Sequence, residues 1–200
     1  MIRYGLDVGR FTDRTALVGL DGDVVAEAHL MSGLEFSTQA GILEPLIGKN
    51  SLCLVDVTGL GIGLYERLAD MGLPVVATTI GSSMSPPKII ANWQAKNHAY
   101  LPPLPQRGRV YVGKTHLMGR MLGLVNARAL TVAPWCCHRM ELRKELGELT
   151  VSYTKRGGLS IQNRKGHDDL ALGLALAILA RDLSSRLLRS ADHGSEVQAA

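Results

Sequence analysis

Residues 2–30 read Ile2-Arg-Tyr-Gly-Leu-Asp7-Val-Gly-Arg-Phe-Thr-Asp13-Arg-Thr15-Ala-Leu-Val-Gly-Leu20-Asp21-Gly22-Asp23-Val24-Val-Ala-Glu-Ala-His-Leu30, and their reading decides the fold class. Residues 2–8 alternate and reach an acid, as a strand does. Thr15–Leu20 and Val24–Leu30 are apolar runs flanking Asp21-Gly22-Asp23, and Asp-Gly between such runs is a strong hairpin signal. The chain therefore opens with three strands in antiparallel order.

Beyond this opening the pattern changes. Ser37–Ile47 has helical spacing, with Ser37 as its N-cap. Ser51–Val57 is a short apolar run that again reaches an acid, Asp56, and reads as a buried strand. Gly59–Met71 reads as a helix stopped by Gly72, and Pro74–Thr79 as the next strand. A strand–helix–strand unit of this kind predicts parallel pairing. Residues 81–109 hold five of the eight prolines and predict a long functional loop carrying a short helix near Ile89–Asn97. Val110–Val112 and Ala129–Val132 read as short strands around a helix at Thr115–Ala127. Arg139–Glu148 reads as a helix, and Leu149–Tyr153 with Leu159–Gln162 as a hairpin. His167–Leu188 is a long helix, apolar at its start. The whole predicts one domain over residues 1–188 and a disordered tail at 189–200.

Composition excludes several classes. The chain has 200 residues, 46% hydrophobic and 20% charged, as in a soluble globular protein and unlike a disordered or collagenous one. Its longest apolar stretch, Leu170–Ala180, falls short of the roughly 18–20 residues of a membrane span. The first residues lack the apolar segment of a signal peptide. Cys53, Cys136 and Cys137 form no disulfide framework and no CxxC pair, which fits a reducing cytoplasm. The net charge of +4 conceals an asymmetry. Residues 1–70 carry five Lys/Arg against ten Asp/Glu, whereas residues 71–140 carry eight Lys/Arg and no acid. An acid-free stretch of that length suits a polyanion, and nucleic acid is the expected partner over a basic face kept only for solubility. Lys88, Lys96, Arg107, Arg109 and Lys114 are the candidate DNA contacts. Trp93 and Tyr100 lie among them, either stacking on bases or pinning the loop to the core.

Three acids end core elements. Asp7 closes the first strand, Asp56 closes the strand at Leu52–Val55, and Asp169 opens the last apolar helix. Each alone reads as a turn or cap residue. Brought together they would repel and take up protons, a conflict that a divalent cation removes. Oxygen-only ligation selects Mg²⁺ or Mn²⁺ over zinc. Two such ions about 3.5–4 Å apart can activate water and stabilise a leaving oxygen. His167, before the paired acids, either orients a ligand or caps the helix. Gly108-Arg-Val-Tyr-Val-Gly113-Lys114-Thr115 fits the phosphate-loop expression, but Val-Tyr-Val favours an extended chain over a cradle of N–H groups.

These motifs resemble the nuclease domain of tailed-phage large terminase subunits. Asp7-Val-Gly-Arg-Phe-Thr-Asp13-Arg-Thr-Ala looks like that family's first-strand motif, and Leu54-Val-Asp56-Val-Thr-Gly59-Leu-Gly61 its second. Gly166-His167-Asp168-Asp169-Leu-Ala-Leu-Gly-Leu-Ala-Leu-Ala resembles the third. Val110-Tyr-Val-Gly-Lys114 and Glu145-Leu resemble the pattern between, so the likeness spans residues 2 to 182. It implies a ribonuclease-H-like α/β fold whose mixed sheet has three antiparallel strands, then parallel ones, with helices on both faces. It implies a two-metal DNA endonuclease of phage packaging, with Asp7, Asp56 and Asp169 as the metal-binding triad and Asp13 and Asp168 as accessory acids. The implied setting is the cytoplasm of a bacterial host, with an ATPase motor, a small terminase subunit or a portal as partners. The motor itself has no room in this chain, which would be an excised domain, a separate nuclease gene or a prophage remnant. Two other readings stand beside it, a Holliday-junction resolvase of the same fold and a catalytically idle DNA-binding remnant. The resolvases typically carry glutamate at the second acid, where this chain has Asp56.

Overall fold

The computed structural model describes residues 1–9, 13–90, 109–153, 159–163 and 166–192. Strands β1 (Arg3–Asp7), β2 (Thr15–Asp21) and β3 (Val24–Met31) pair antiparallel, as the opening stretch predicts. Gly22 turns the second hairpin at φ 59°, a left-handed conformation that glycine adopts without strain. Helix α1 (Phe36–Ile47) follows. Its start lies ahead of Ser37, which sits inside the first turn rather than capping it. Gln39 explains the earlier start, since its Nε2 donates back to the Leu34 carbonyl at 2.8 Å and its backbone N–H bonds the Glu35 carbonyl.

Strand β4 (Leu52–Asp56), helix α2 (Gly61–Asp70) and strand β5 (Val75–Gly81) form the expected parallel crossover. β4 also pairs parallel with β1, placing Leu6 beside Val55. The helix expected near Ile89–Asn97 is corrected at its start. Lys88–Ile90 is strand β6, antiparallel to β7 (Arg109–Gly113), and residues 91–97 lie outside the described residues. The two β-branched isoleucines, Ile89 and Ile90, suit an edge strand. The phosphate-loop expression fails as its side chains predict, because Arg109–Gly113 is extended and pairs with β5.

Helix α3 (Lys114–Asn126), strand β8 (Thr131–Val132) and helix α4 (Arg139–Glu148) come next. Strands β9 (Leu149–Tyr153) and β10 (Leu159–Asn163) form a separate hairpin, and helix α5 (Asp169–Asp192) closes the fold. α5 runs four residues past the predicted end at Leu188, so the expected tail at 189–200 is helical as far as Asp192. Residues 193–200 lie outside the described residues. No helix among the described residues is long and apolar enough to cross a membrane.

Among the described residues the main sheet has eight strands, in the order β6-β7-β5-β4-β1-β2-β3-β8. Side chains alternate along each strand, so each face buries its own set. Tyr4, Leu6, Cys53, Val55 and Ala77 pack under α1 and α2. Val18, Leu54, Val76 and Val112 pack under α3, α4 and α5. α5 lies directly on β1. A Cβ on Gly5 would come within 2.1 Å of the Gly173 carbonyl oxygen, and one on Gly173 would meet Val18 at 3.1 Å. This close approach sets the site: Asp7 lies two residues beyond Gly5 on the same strand face, and Asp169 one helical turn before Gly173.

Candidate active site

The C-terminal ends of the parallel strands β1, β4 and β7 lie at one end of the sheet, where the N-terminus of α5 meets β1 and β4. Asp7 ends β1 and Asp56 ends the adjacent β4. Gly61, at the start of α2, packs so tightly on Asp56 that a Cβ there would come within 2.0 Å of its carbonyl oxygen. Asp168 precedes α5 and Asp169 is its first residue. Asp7 feels the other three. Burial pushes the Asp7 carboxyl well above the usual carboxylate range, and Asp56, Asp169 and Asp168 raise it further, with Lys114 opposing. Burial also raises Asp56, against Thr58 hydrogen bonds and the charges of Lys114 and Arg109.

Each of the other three acids is anchored. Asp56 Oδ1 accepts the Thr58 N–H at 2.8 Å, and the Thr58 hydroxyl in turn accepts the Ile80 N–H from β5 at 3.0 Å. Lys114 Nζ donates to Asp168 Oδ2 at 3.2 Å. Arg14 Nε donates to Asp169 Oδ2 at 2.9 Å, and His167 Nδ1 lies 3.4 Å from the same oxygen. Among the described residues no hydrogen bond reaches Oδ1 of Asp168 or Asp169, and none reaches the Asp7 carboxyl. The predicted triad thus converges, with Asp168 joining it. Asp13 lies exposed in the β1–β2 connection, and no described contact ties it to the cluster. Of the DNA candidates, Lys114 points into the acids and Arg109, at the start of β7, lies close enough to Asp56 to act on its charge. Lys88 is exposed on the edge strand β6, while Lys96 and Arg107 lie outside the described residues, as do Trp93 and Tyr100.

Two residues of the site escape a reading of acids alone. Arg14 also donates Nη2 to Glu145 Oε1 at 2.7 Å, and Glu145 Oε2 accepts the Ala171 N–H at 3.1 Å. Burial raises the Glu145 carboxyl, against the Ala171 N–H and Arg14. Glu145 is only 5% exposed, and its place on the buried stripe of α4, three residues after Leu142, is the signal that marks it.

Among solved structures, the chain superposes on the large terminase nuclease from thermophilic phage G20c with a TM-score of 0.63 at 19% identity, covering 90% of this chain and 81% of that one. It superposes on the Thermus phage P74-26 large terminase nuclease domain with a TM-score of 0.57 at 18% identity, covering 90% and 79%. The nuclease domain of the large terminase subunit of bacterial virus Sf6 gives 0.57 at 14% identity, over 88% and 87%. The fold is that of the large terminase nuclease domains. The ribonuclease-H-like sheet expected from the motifs is therefore present. No protein-family model matches the chain, and no curated protein matches it in sequence. The G20c nuclease has been solved with bound cobalt and with bound magnesium, and the Sf6 domain with manganese.

On this terminase-nuclease fold the acids suit a divalent cation by their chemistry. The donor set is all oxygen, and Asp7 is a half-buried carboxyl facing three others. As they stand, no group of three His, Cys, Asp or Glu side chains among the described residues is set to hold an ion. Lys114 and Arg14 balance part of the charge instead.

Proposed function

We propose that this domain is a metal-dependent endonuclease that hydrolyses phosphodiester bonds in double-stranded DNA, using two Mg²⁺ or Mn²⁺ ions. The observation that carries the reading is the convergence of Asp7, Asp56, Asp168 and Asp169 at the C-terminal ends of β1 and β4, where the repulsion that Asp7 takes from the other three calls for a cation. Asp7, Asp56 and Asp169 would hold the ions, with Asp168 beside them. Bound divalent ions supply Lewis-acid polarisation of the phosphate and activation of water. The protein's own part is geometric and electrostatic. Thr58 fixes the Asp56 carboxylate, Arg14 fixes Asp169 with His167 close by, and Lys114 and Arg109 hold positive charge beside the acids. That charge suits a phosphate entering from the β7 side, where the acid-free segment lies. The solved terminase nucleases with bound magnesium, cobalt or manganese support the metal requirement. A role in phage DNA packaging, in the host cytoplasm and beside an ATPase motor, a small terminase subunit or a portal, accords with that likeness.

Plasmid nicking and linearisation with Mn²⁺, Mg²⁺ or EDTA tests the reading. Cleavage is expected with either ion, is lost in EDTA, and is abolished by Asp56→Ala in a folded protein. Cleavage at the wild-type rate by Asp56→Ala, or none by the wild type with any ion, overturns it. Cleavage of four-way junctions in preference to linear duplex would identify a resolvase instead.

A further inference from the structure

We infer that Arg14 and Glu145 are positioning residues that aim the two acids at the head of α5 into the site. The inference rests on the proposed metal site and adds the device that shapes it. Asp168 occupies the N-cap position of α5, since its carbonyl accepts the Leu172 N–H at 2.8 Å. An aspartate there ordinarily turns its carboxylate back onto the N–H of the second or third helical residue. That third residue is Ala171, and its N–H is already taken by Glu145 Oε2 from α4. Glu145 therefore caps α5 from outside the helix. The Asp168 carboxylate is released from its own backbone and reaches Lys114 across the site.

The other oxygen of Glu145 does a second task. It binds Arg14 Nη2, and the same guanidinium directs Nε at Asp169 Oδ2. Arg14 thus bridges two carboxylates from two helices with two separate N–H groups, which the rigid guanidinium fork permits and a lysine ammonium does not. Asp169 is held by Oδ2, and no described hydrogen bond reaches its Oδ1. The residues form a closed ring from the start of β2 through α4 to the first turn of α5. A cavity of about 160 Å³, lined in part by Arg14, Lys144, Glu145 and His167, opens beside the ring. Water therefore reaches Arg14, and the value of the pair lies in direction more than in buried charge.

Isothermal titration of the folded protein with Mn²⁺ alone tests this, because charge and positioning predict opposite results for one variant. Arg14→Gln removes a cation beside the acids, so charge alone would tighten Mn²⁺ binding. Positioning predicts weaker binding, by about 10–100-fold, the usual cost of losing a group that orients a ligand. Arg14→Lys should not restore it, and Glu145→Gln should weaken binding comparably. Circular dichroism and thermal melting accompany each titration; if Arg14→Gln fails to fold, Glu145→Gln and Arg14→Lys carry the test. Unchanged or tighter binding in the folded Arg14 variants overturns the inference while leaving the metal site standing, provided Asp56→Asn still loses Mn²⁺. No saturable uptake by the wild type overturns the site and this inference together.

Discussion

A carboxyl that faces three others and has no described cation bonded to it is held at a cost, and Asp7 is that residue. Its folded-state titration lies well above the ordinary carboxylate value of about 4, first through burial and then through Asp56, Asp169 and Asp168. The native protein keeps a proton there that the unfolded chain gives up. The resulting stability is fully present below the unfolded value and is lost as pH rises through the raised folded value. Asp56 and Glu145 are shifted upward too and act in the same direction. EDTA-treated protein should therefore melt at progressively lower temperature as pH is raised from about 4 toward 8. Asp7→Asn should flatten that dependence and be the more stable protein at pH 8. Adding Mn²⁺ at pH 8 should raise the wild-type melting temperature, by about 2.7 kcal/mol of stability at a hundredfold excess over Kd, and should do much less for Asp7→Asn. Differential scanning calorimetry across pH, with and without the ion, checks all three. An Asp7→Asn protein less stable than wild type at pH 8 would show that the acids impose no strain on one another.

At the level of elements, the acids come together because α5 can approach β1 closely. Gly5 and Gly173 meet with no side chain between them, and this sets how near the first turn of α5 comes to the end of β1. Gly5→Ala would drive a Cβ into the Gly173 carbonyl and the Ala177 nitrogen, backbone atoms that cannot rotate away. Overpacking of this kind costs about 1–3 kcal/mol. In a domain of this size each kcal/mol lowers Tm by roughly 2–4 °C. The variant should also lose cleavage beyond what instability explains, since Asp169 is displaced from Asp7; chemical denaturation beside a nicking assay at 20 °C separates the two effects. The same contact shows why part of the site was legible in sequence. Asp7 and Asp56 end apolar strands, and Asp169 begins an apolar helix, so local pattern alone brings out all three. Arg14 and Glu145 were not legible in that way. Their roles depend on α4 packing across the start of α5, a long-range arrangement that no local period encodes. Strand β6 was lost for a similar reason: three residues give no measurable period, and the antiparallel pairing with β7 that forms the strand joins segments eighteen or more residues apart. Ser37 misled because a good capping residue stands two positions past the true N-cap, Glu35, and the Gln39 amide fixes the entry of α1 instead.

Across the whole molecule, charge follows the order of the strands. The acids gather where β1 and β4 meet, and β5, β7 and β6 extend from there to one edge of the sheet. Those outer strands belong to residues 71–140, the stretch with eight basic residues and no acid. The basic side chains described there include Lys88 on β6, Arg109 on β7 and Lys114 at the head of α3, so positive charge runs from the sheet edge to the acids. A duplex lying along that path would place its backbone against Lys88 and Arg109 while one phosphate reaches the acids. Such contacts release counterions without reading bases, so affinity should depend steeply on salt and weakly on sequence. Each phosphate contact removed should flatten the slope of log K against log salt by about 0.9. Lys88→Gln with Arg109→Gln should therefore flatten it by roughly 2. The loss of affinity should be alike for unrelated duplexes, as fluorescence anisotropy in EDTA from 50 to 200 mM salt would measure. Metal-dependent cleavage would be silent in EDTA, so the experiment reads binding alone, and Asp56→Ala should keep the wild-type slope. If the double variant keeps that slope as well, DNA does not run along the β7–β6 edge. The hairpin of β9 and β10 would then be the next surface to neutralise.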